Sequence, residues 1–276
     1  MEILDGKKIA AEILGGVKNR LAKLDFQPAF CDVLVGDDPA SAQYVKMKAK
    51  TAEQTGFKFL TAEFPASISA AGLLDELAKL NRRPQLCGLI VQLPLPQGFQ
   101  TQAVLDAIDP RLDVDCLGRV NTDAFYAGTG RLAYPTALAV MAILDSVPAD
   151  ILGGNFLVIG QGRLVGRPVT ALLKRQGRRV ATATSETKDL SDLLKAADVV
   201  IAAAGRPRLI SGEMLKPGCT VIDAGTAEYE GGMTGDVDFS SVSQTAAFLS
   251  PVPGGVGPVT VAKLLENVLF VAEQKH

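Results

Sequence analysis

Short apolar runs recur along this chain, and they constrain its fold more than any other feature. In the first half they are Ala29–Val35, Phe57–Phe64 and Leu86–Gln92; in the second, Asn155–Ile159, Val180–Thr184, Val199–Ala203 and Thr220–Ile222. Short runs that stay apolar, without strict alternation, mark strands buried on both faces, as in a parallel sheet. Amphipathic stretches separate them, at Pro39–Thr55, Ala70–Leu80 and Ala137–Val147. That alternation predicts an α/β fold. At 276 residues the chain exceeds the size at which one core usually divides, so two domains are expected. The boundary is expected in an irregular stretch, Asp113–Pro135, rich in Gly, Asp and Asn, which gives residues 1–120 to a first domain and 121–258 to a second. A final helix near Val259–Glu273, within residues 259–276, is expected to pack back on the first.

A formal net charge of -2 gives no general attraction to nucleic acid or to an anionic membrane, which leaves small-molecule chemistry as the default. Met1–Lys8 has no long apolar segment after its charges, so no signal peptide is expected. No run approaches the ~18 apolar residues of a membrane-spanning helix. Cys31, Cys87, Cys116 and Cys219 form no CxxC pair, so buried reduced thiols, a cytoplasmic location and no metal site are expected. The only histidine, His276, is the last residue and a poor candidate for catalysis. Acid–base chemistry therefore falls to Lys, Tyr, Asp or Glu.

Asp38-Pro39 marks a helix start and Gly56 a stop. Within that helix Tyr44 and Lys48 are four apart and share a face, with Ser41 three residues earlier on the same side. Alone, Lys46, Lys48 and Lys50 read as solvated surface charge. The run Leu86–Gln92 turns polar at its last residue, and Leu93-Pro94-Leu95-Pro96 cannot continue a central strand. Ligands bind outside the carboxyl ends of parallel strands, so Gln92 either faces a substrate or simply ends a strand. Asp113 and Asp115 read by themselves as turn carboxylates.

Four strings, taken together, carry a resemblance. Ser41-Ala42-Gln43-Tyr44-Val45-Lys46-Met47-Lys48 is similar to S-x-x-Y-V-x-x-K of the methylenetetrahydrofolate dehydrogenase/cyclohydrolase family. Val91-Gln92-Leu93-Pro94-Leu95-Pro96 matches its V-Q-L-P-L-P, Asp113-Val114-Asp115 its D-V-D, and Pro251–Pro258 its P-V-P-G-G-V-G-P. Order and spacing agree from roughly Asp5 to Asn267. The resemblance implies an α/β substrate domain and a Rossmann-like, doubly wound nicotinamide-cofactor domain with a cleft between them. It implies oxidation of 5,10-methylenetetrahydrofolate to the methenyl cation and hydrolysis of that cation to 10-formyltetrahydrofolate, in one-carbon metabolism and purine biosynthesis. A homodimer through the cofactor domain is also implied.

Carried over by position, Lys48 is the central catalytic residue, Tyr44 and Gln92 shape its surroundings, and Asp115 holds the pterin ring. Leu93, Pro94, Pro253, Gly254 and Gly255 join them as folate contacts. The chemistry is consistent with those roles. A carboxylate accepts paired hydrogen bonds from a pterin N–H and amino group, and so fixes the ring. A lysine beside a cationic intermediate is moved toward its neutral, basic form. Gln92 holds the amine without adding charge.

The run Asn155–Ile159 leads into Gly160-Gln161-Gly162-Arg163-Leu164-Val165-Gly166, glycines spaced to let a backbone approach a pyrophosphate at a helix start. The spacing is G-x-G-x-x-x-G rather than G-x-G-x-x-G, and it resembles the family's G-R-S-x-x-V-G-x-P with Gln161 and Gly162 in place of Arg-Ser. Gly160, Gln161, Gly162, Arg163, Val165, Gly166, Ser185, Glu186, Ala204, Gly205, Thr226 and Gly257 are the implied cofactor contacts. Other departures are Ala183–Thr187 for C-H-S-x-T, Tyr134–Ala137 for T-P-x-G, Asp223–Ala227 for D-V-G-I-N, and Cys116 for the glycine after D-V-D. Family grounds favour NADP as cofactor. Glu186, suited to a free ribose 2′-hydroxyl, leans toward NAD, while Arg163, Arg178 and Arg179 are available to a 2′-phosphate. Two alternatives stay open: a member that has lost one activity, and a non-catalytic folate- or nucleotide-binding regulator on the same fold.

Overall fold

The computed structural model describes residues 1–149, 151–229 and 232–275; His276 lies outside them. In chain order the strands are β1 (Glu2–Ile3), β2 (Ala29–Val35), β3 (Lys58–Phe64), β4 (Leu86–Val91), β5 (Asn155–Ile159), β6 (Arg179–Ala183), β7 (Val199–Ala202), β8 (Thr220–Asp223), β9 (Ala227–Tyr229), β10 (Gly232–Thr234) and β11 (Phe248–Leu249). The helices are α1 (Gly6–Leu21), α2 (Pro39–Thr55), α3 (Ala70–Asn81), α4 (Thr101–Asp106), α5 (Arg119–Ala127), α6 (Pro135–Leu144), α7 (Gly166–Arg175), α8 (Leu190–Ala196), α9 (Phe239–Val242) and α10 (Val256–Glu273).

Two units divide the chain. One comprises Glu12–Pro135 with Leu264–His276, the other Met1–Ala11 with Thr136–Lys263. The division departs from the expected cut at residue 120 for identifiable reasons. The expected irregular stretch contains α5, which ends at Gly128 in the left-handed conformation (φ 77°). Phe125 of α5 meets the Tyr134 ring edge-on at 5.0 Å, and the Tyr134 hydroxyl lies 3.1 Å from Thr122 Oγ1, so residues up to 135 belong with the first unit. The N-terminus belongs with the other unit because β1 pairs in parallel with β11, Glu2 opposite Phe248.

The first unit is built on a parallel sheet of order β3-β2-β4. Its central strand β2 is buried at every residue, as its apolar sequence requires. One residue breaks that sequence: Asp32, paired with Thr61 on β3 and Ile90 on β4. Helix α2 follows β2. Asp38 caps it by accepting from Ser41 N at 2.8 Å, Pro39 opens it, and Gly56 closes it at φ 113°.

The second unit carries a parallel sheet of order β1-β11-β8-β7-β5-β6. Leu157, Ile159, Val200, Val221 and Leu249 from its strands form a core with Leu194 of α8 and Val242 of α9. Chain order runs outward in both directions from β5, which has β6 on one side and β7 on the other. Such a reversal opens a crevice at the carboxyl ends of the strands. Among the described residues, no helix is long and apolar enough to cross a membrane.

Candidate active site

Lys48 is not a surface lysine. Lys46 and Lys50 on the same helix are exposed, whereas Lys48 is 2% exposed. Burying an ammonium is costly unless it is paired, and three groups meet this one. Its Nζ donates to Gln92 Oε1 at 2.8 Å, lies 2.5 Å from Asp32 Oδ2, and stands 5.0 Å from the centre of the Tyr44 ring. Gln92 occupies the first position beyond β4, its amide nitrogen donating to the Leu93 carbonyl at 3.0 Å, which turns Oε1 toward the lysine. The Leu93–Pro94 bond is cis. Burial pushes the Tyr44 hydroxyl above its ordinary range, with Asp115 and Asp32 acting in the same direction.

The two acids of Asp113-Val114-Asp115 have separate situations. Asp113 is buried and accepts from Leu117 N at 3.1 Å, Gly118 N at 2.9 Å and Asn121 Nδ2 at 3.2 Å. It closes its own loop. Asp115 is half-buried and has no hydrogen-bond or ion-pair partner among the described residues. Burial pushes its carboxyl up to about 7, against the pull of Lys48, with Asp113 and Asp32 adding to the rise. It is an acceptor without a donor. Cys116, which stands where the resembling family has glycine, adopts φ 61°, a region that favours glycine.

In the other unit, the glycine loop between β5 and α7 is close-packed at its ends and open in its middle. Gly160 has φ 85°; a Cβ there would run into the Ala203 carbonyl, and one on Gly166 into the Gly160 carbonyl. A Cβ on Gly162 would meet nothing within 4 Å. Gln161 reaches back to Thr170 Oγ1 at 3.2 Å, and Arg163 is exposed. Val165 precedes α7, whose N-terminus favours negative charge. This cradle fits a dinucleotide pyrophosphate. Ser185 and Glu186 follow the carboxyl end of β6, Ala204 and Gly205 that of β7, and Thr226 that of β8, all on the edge of the sheet where Gly160 lies. Gly254 (φ 106°) and Gly255 lie between β11 and α10, Gly257 lies in the first turn of α10, and the Val252–Pro253 bond is cis.

Two family models match most of the chain. Residues 4–115 match the tetrahydrofolate dehydrogenase/cyclohydrolase catalytic domain and residues 134–276 its NAD(P)-binding domain. The bifunctional protein FolD of Lactobacillus delbrueckii subsp. bulgaricus is 38% identical, over 100% of this chain and 98% of its own. The chain belongs to the tetrahydrofolate dehydrogenase/cyclohydrolase family. Among solved structures, the bifunctional FolD enzyme of Campylobacter jejuni superposes with a TM-score of 0.95 at 37% identity, covering 100% of both chains. The Trypanosoma brucei enzyme, solved with NADP and an inhibitor, gives 0.93 at 34%, covering 99% of this chain and 97% of its own. Thermus thermophilus shikimate 5-dehydrogenase, at 14% identity and a TM-score of 0.52 over 90% of this chain and 100% of its own, shares the fold alone.

Against this family background the structure corrects one expectation and adds two acids. Arg178 and Arg179 are not placed for a 2′-phosphate. They stand at the start of β6 and donate to the Leu152 carbonyl at 2.7 Å and the Gly153 carbonyl at 3.1 Å, at the opposite end of the strands from Gly160. Asp236 was not singled out from the sequence. It accepts from Ala204 N at 2.5 Å, Gly205 N at 3.1 Å and Arg206 N at 2.7 Å, so those amides are spent within the protein. Asp32 was also missed, although its signal was legible: a carboxylate in the middle of Ala29-Phe30-Cys31-Asp32-Val33-Leu34-Val35. An unpaired charge there would be prohibitively costly, so a partner was implied. All four cysteines are buried and unpaired, and no cluster among the described residues is arranged to hold a metal ion.

Proposed function

We propose that this chain oxidises 5,10-methylenetetrahydrofolate with a nicotinamide dinucleotide and hydrolyses the resulting methenyl cation to 10-formyltetrahydrofolate, with Lys48 as the base of the hydrolysis. The observation that carries this reading is a buried amine fixed by Gln92, beside an aromatic ring and an unpartnered carboxylate. Asp115 accepts the paired hydrogen bonds of the pterin ring, which supplies the donors it lacks. The Tyr44 ring lies against the folate and, with Leu93 and Pro94, shapes the site; Gln92 keeps Nζ directed at the reacting carbon. When bound, the cofactor supplies the electron-pair acceptor for the oxidation. Gly160, Gln161, Gly162, Arg163, Val165 and Gly166 hold its pyrophosphate; Ser185 and Glu186 approach its ribose; Ala204, Gly205, Thr226 and Gly257 shape its pocket.

Glu186 is exposed with no side-chain partner among the described residues, while Arg178 and Arg179 face away. That arrangement supports a free ribose 2′-hydroxyl, so NAD serves alongside NADP, the cofactor bound in the Trypanosoma brucei enzyme. The reading includes a cytoplasmic homodimer associating through the cofactor-binding unit, a state that sedimentation checks.

Purified protein mixed with methylenetetrahydrofolate and either NADP or NAD tests both activities, with cofactor reduction and methenyl absorbance followed separately. Reduction of at least one cofactor without lasting methenyl accumulation is expected, and no reduction with either sinks the dehydrogenase assignment. Lys48→Met, in which Asp32 is left without its ion-pair partner and takes up a proton, should lose hydrolysis by about a hundredfold or more. Hydrolysis at the wild-type rate in that variant would remove Lys48 from its role.

A further inference from the structure

Asp32 is the most anomalous residue in the folate-binding unit. It sits at the centre of the central strand, fully buried, with no side-chain hydrogen-bond partner and only the ion pair with Lys48 among the described residues. Replacing such pairs with apolar residues often stabilises a protein, so stability alone gives weak reason for a carboxylate here. The groups facing the pair are few. Tyr44 comes from α2 and Asp115 from the loop after α4; Cys31, next to Asp32 on β2, lies on the opposite face of the sheet, and Asp113 acts on Asp115 rather than on the pair. The neighbours across the sheet, Thr61 and Ile90, do not titrate.

We propose that Asp32 is a positioning residue that exchanges a proton with Lys48 and so frees its amine to act as base at neutral pH. This rests on the assignment of Lys48 above. Arrival of the methenyl cation beside Nζ disfavours a second positive charge there. The Lys48 proton then crosses to Asp32 Oδ2, converting ammonium and carboxylate to amine and carboxylic acid with no change in the charge of the pair. Burial already pushes the Asp32 carboxyl up, against the opposing pull of Lys48, which suits it to receive that proton.

Water then attacks the carbon between N5 and N10, forming a C–O bond while one water proton passes to Nζ. Lys48 returns that proton to N5 as the C–N5 bond breaks. The remaining hydroxyl proton passes to Nζ as the formyl C=O forms. One proton leaves to solvent per turnover, as conversion of a cation to neutral product requires, and the ion pair is restored. Hydrolysis thus proceeds without Lys48 first losing its proton to solvent.

The test is the pH profile of kcat for hydrolysis of added methenyltetrahydrofolate in the wild type, Asp32→Asn and Lys48→Met. At saturating substrate kcat reports groups in the complex, which separates this effect from the role of Asp115 in binding. The wild-type kcat is expected to be flat from pH 6 to 8. Asp32→Asn cannot take the proton, so its kcat should fall about tenfold per pH unit toward acid, with KM within about twofold of wild type. Should Asn not fold at this site, Asp32→Ser, which leaves room for water, is the variant read. A folded Asp32 variant with a flat profile and wild-type kcat overturns the proton exchange. If Lys48→Met also keeps its rate, the assignment of Lys48 has failed; if only the Asp32 variant does, this inference alone has failed.

Discussion

Asp115 is asked to do two opposed things, and its environment shows the conflict. The proposed pterin clamp needs a carboxylate, yet the site takes that carboxylate out of water and, among the described residues, gives it no donor. With its carboxyl pushed up to about 7, folate binding should weaken as pH falls through that value. KM for the folate is expected to rise about tenfold between pH 8 and pH 6, while Asp115→Asn shows a raised, pH-independent KM. A wild-type KM that is flat over that range argues against the clamp. Stability has the opposite sign. A carboxyl raised above its unfolded value near 4 contributes stability that is present below about pH 4 and lost as pH rises through about 7. Asp115→Asn should therefore melt at a higher temperature than wild type at pH 8 and show little difference at pH 4. The site holds a charge that the fold alone would discard. Cys116 beside it is a smaller case, a side chain held at φ 61° where the resembling family has glycine.

At the scale of elements, the glycine loop separates packing from ligand contact. Gly166 and Gly160 are fixed by backbone against backbone, so substitution there disturbs the fold first. Gly162 faces open space, and a methyl group added there touches no protein atom within 4 Å. Gly162→Ala is expected to leave the melting temperature within about a degree and to raise the KM for the nicotinamide cofactor several-fold, since the added carbon stands where the pyrophosphate approaches. Hydrolysis of added methenyl substrate should be unchanged. An unaltered cofactor KM would place the dinucleotide elsewhere. What was legible in the sequence follows the same logic of local causes. Helix α2 begins and ends where Asp38-Pro39 and Gly56 place it, and β2 and β5 have the bounds of their apolar runs. Helix α1 has no such signature, because Gly15 and Gly16 interrupt its pattern. Helix α5 is hidden among Gly, Asn and Asp, and β1 and β11 are two residues each, visible only through their pairing. Long-range pairing leaves no local trace. The same holds for Lys48, which by itself reads as surface charge beside Lys46 and Lys50 because its buried partner Asp32 lies on another element.

For the molecule as a whole, the folate-binding unit is not a contiguous piece of sequence. It is completed by Leu264–His276, more than a hundred residues beyond Pro135. The dependence can be traced atom by atom. Asn267 Nδ2 donates to the Val114 carbonyl at 2.8 Å and the Ala133 carbonyl at 2.9 Å. Lys275 Nζ donates to the Leu86 carbonyl at 2.6 Å, at the start of β4, and Glu273 pairs with Arg20 at 2.6 Å. Gly88 has no side chain because Val268 fills the space; a Cβ there would lie 2.8 Å from Val268 Cγ2. Leu265, Val268 and Leu269 are fully buried. Losing three such side chains forfeits roughly 5–9 kcal/mol of apolar burial, and each orphaned carbonyl costs about 1–3 kcal/mol more. A domain of this size is stable by only about 5–15 kcal/mol. A fragment ending at Pro135 should therefore show helical circular dichroism without a cooperative melt, although it contains Asp32, Tyr44, Lys48, Gln92 and Asp115. Adding a peptide of residues 256–275 should restore a cooperative transition and, with it, some hydrolysis of the methenyl substrate. A fragment that melts cooperatively without the peptide would show that the terminal segment is ornamental to this core. A peptide carrying Asn267→Leu, equal in bulk but unable to donate to either carbonyl, should restore far less than the natural one.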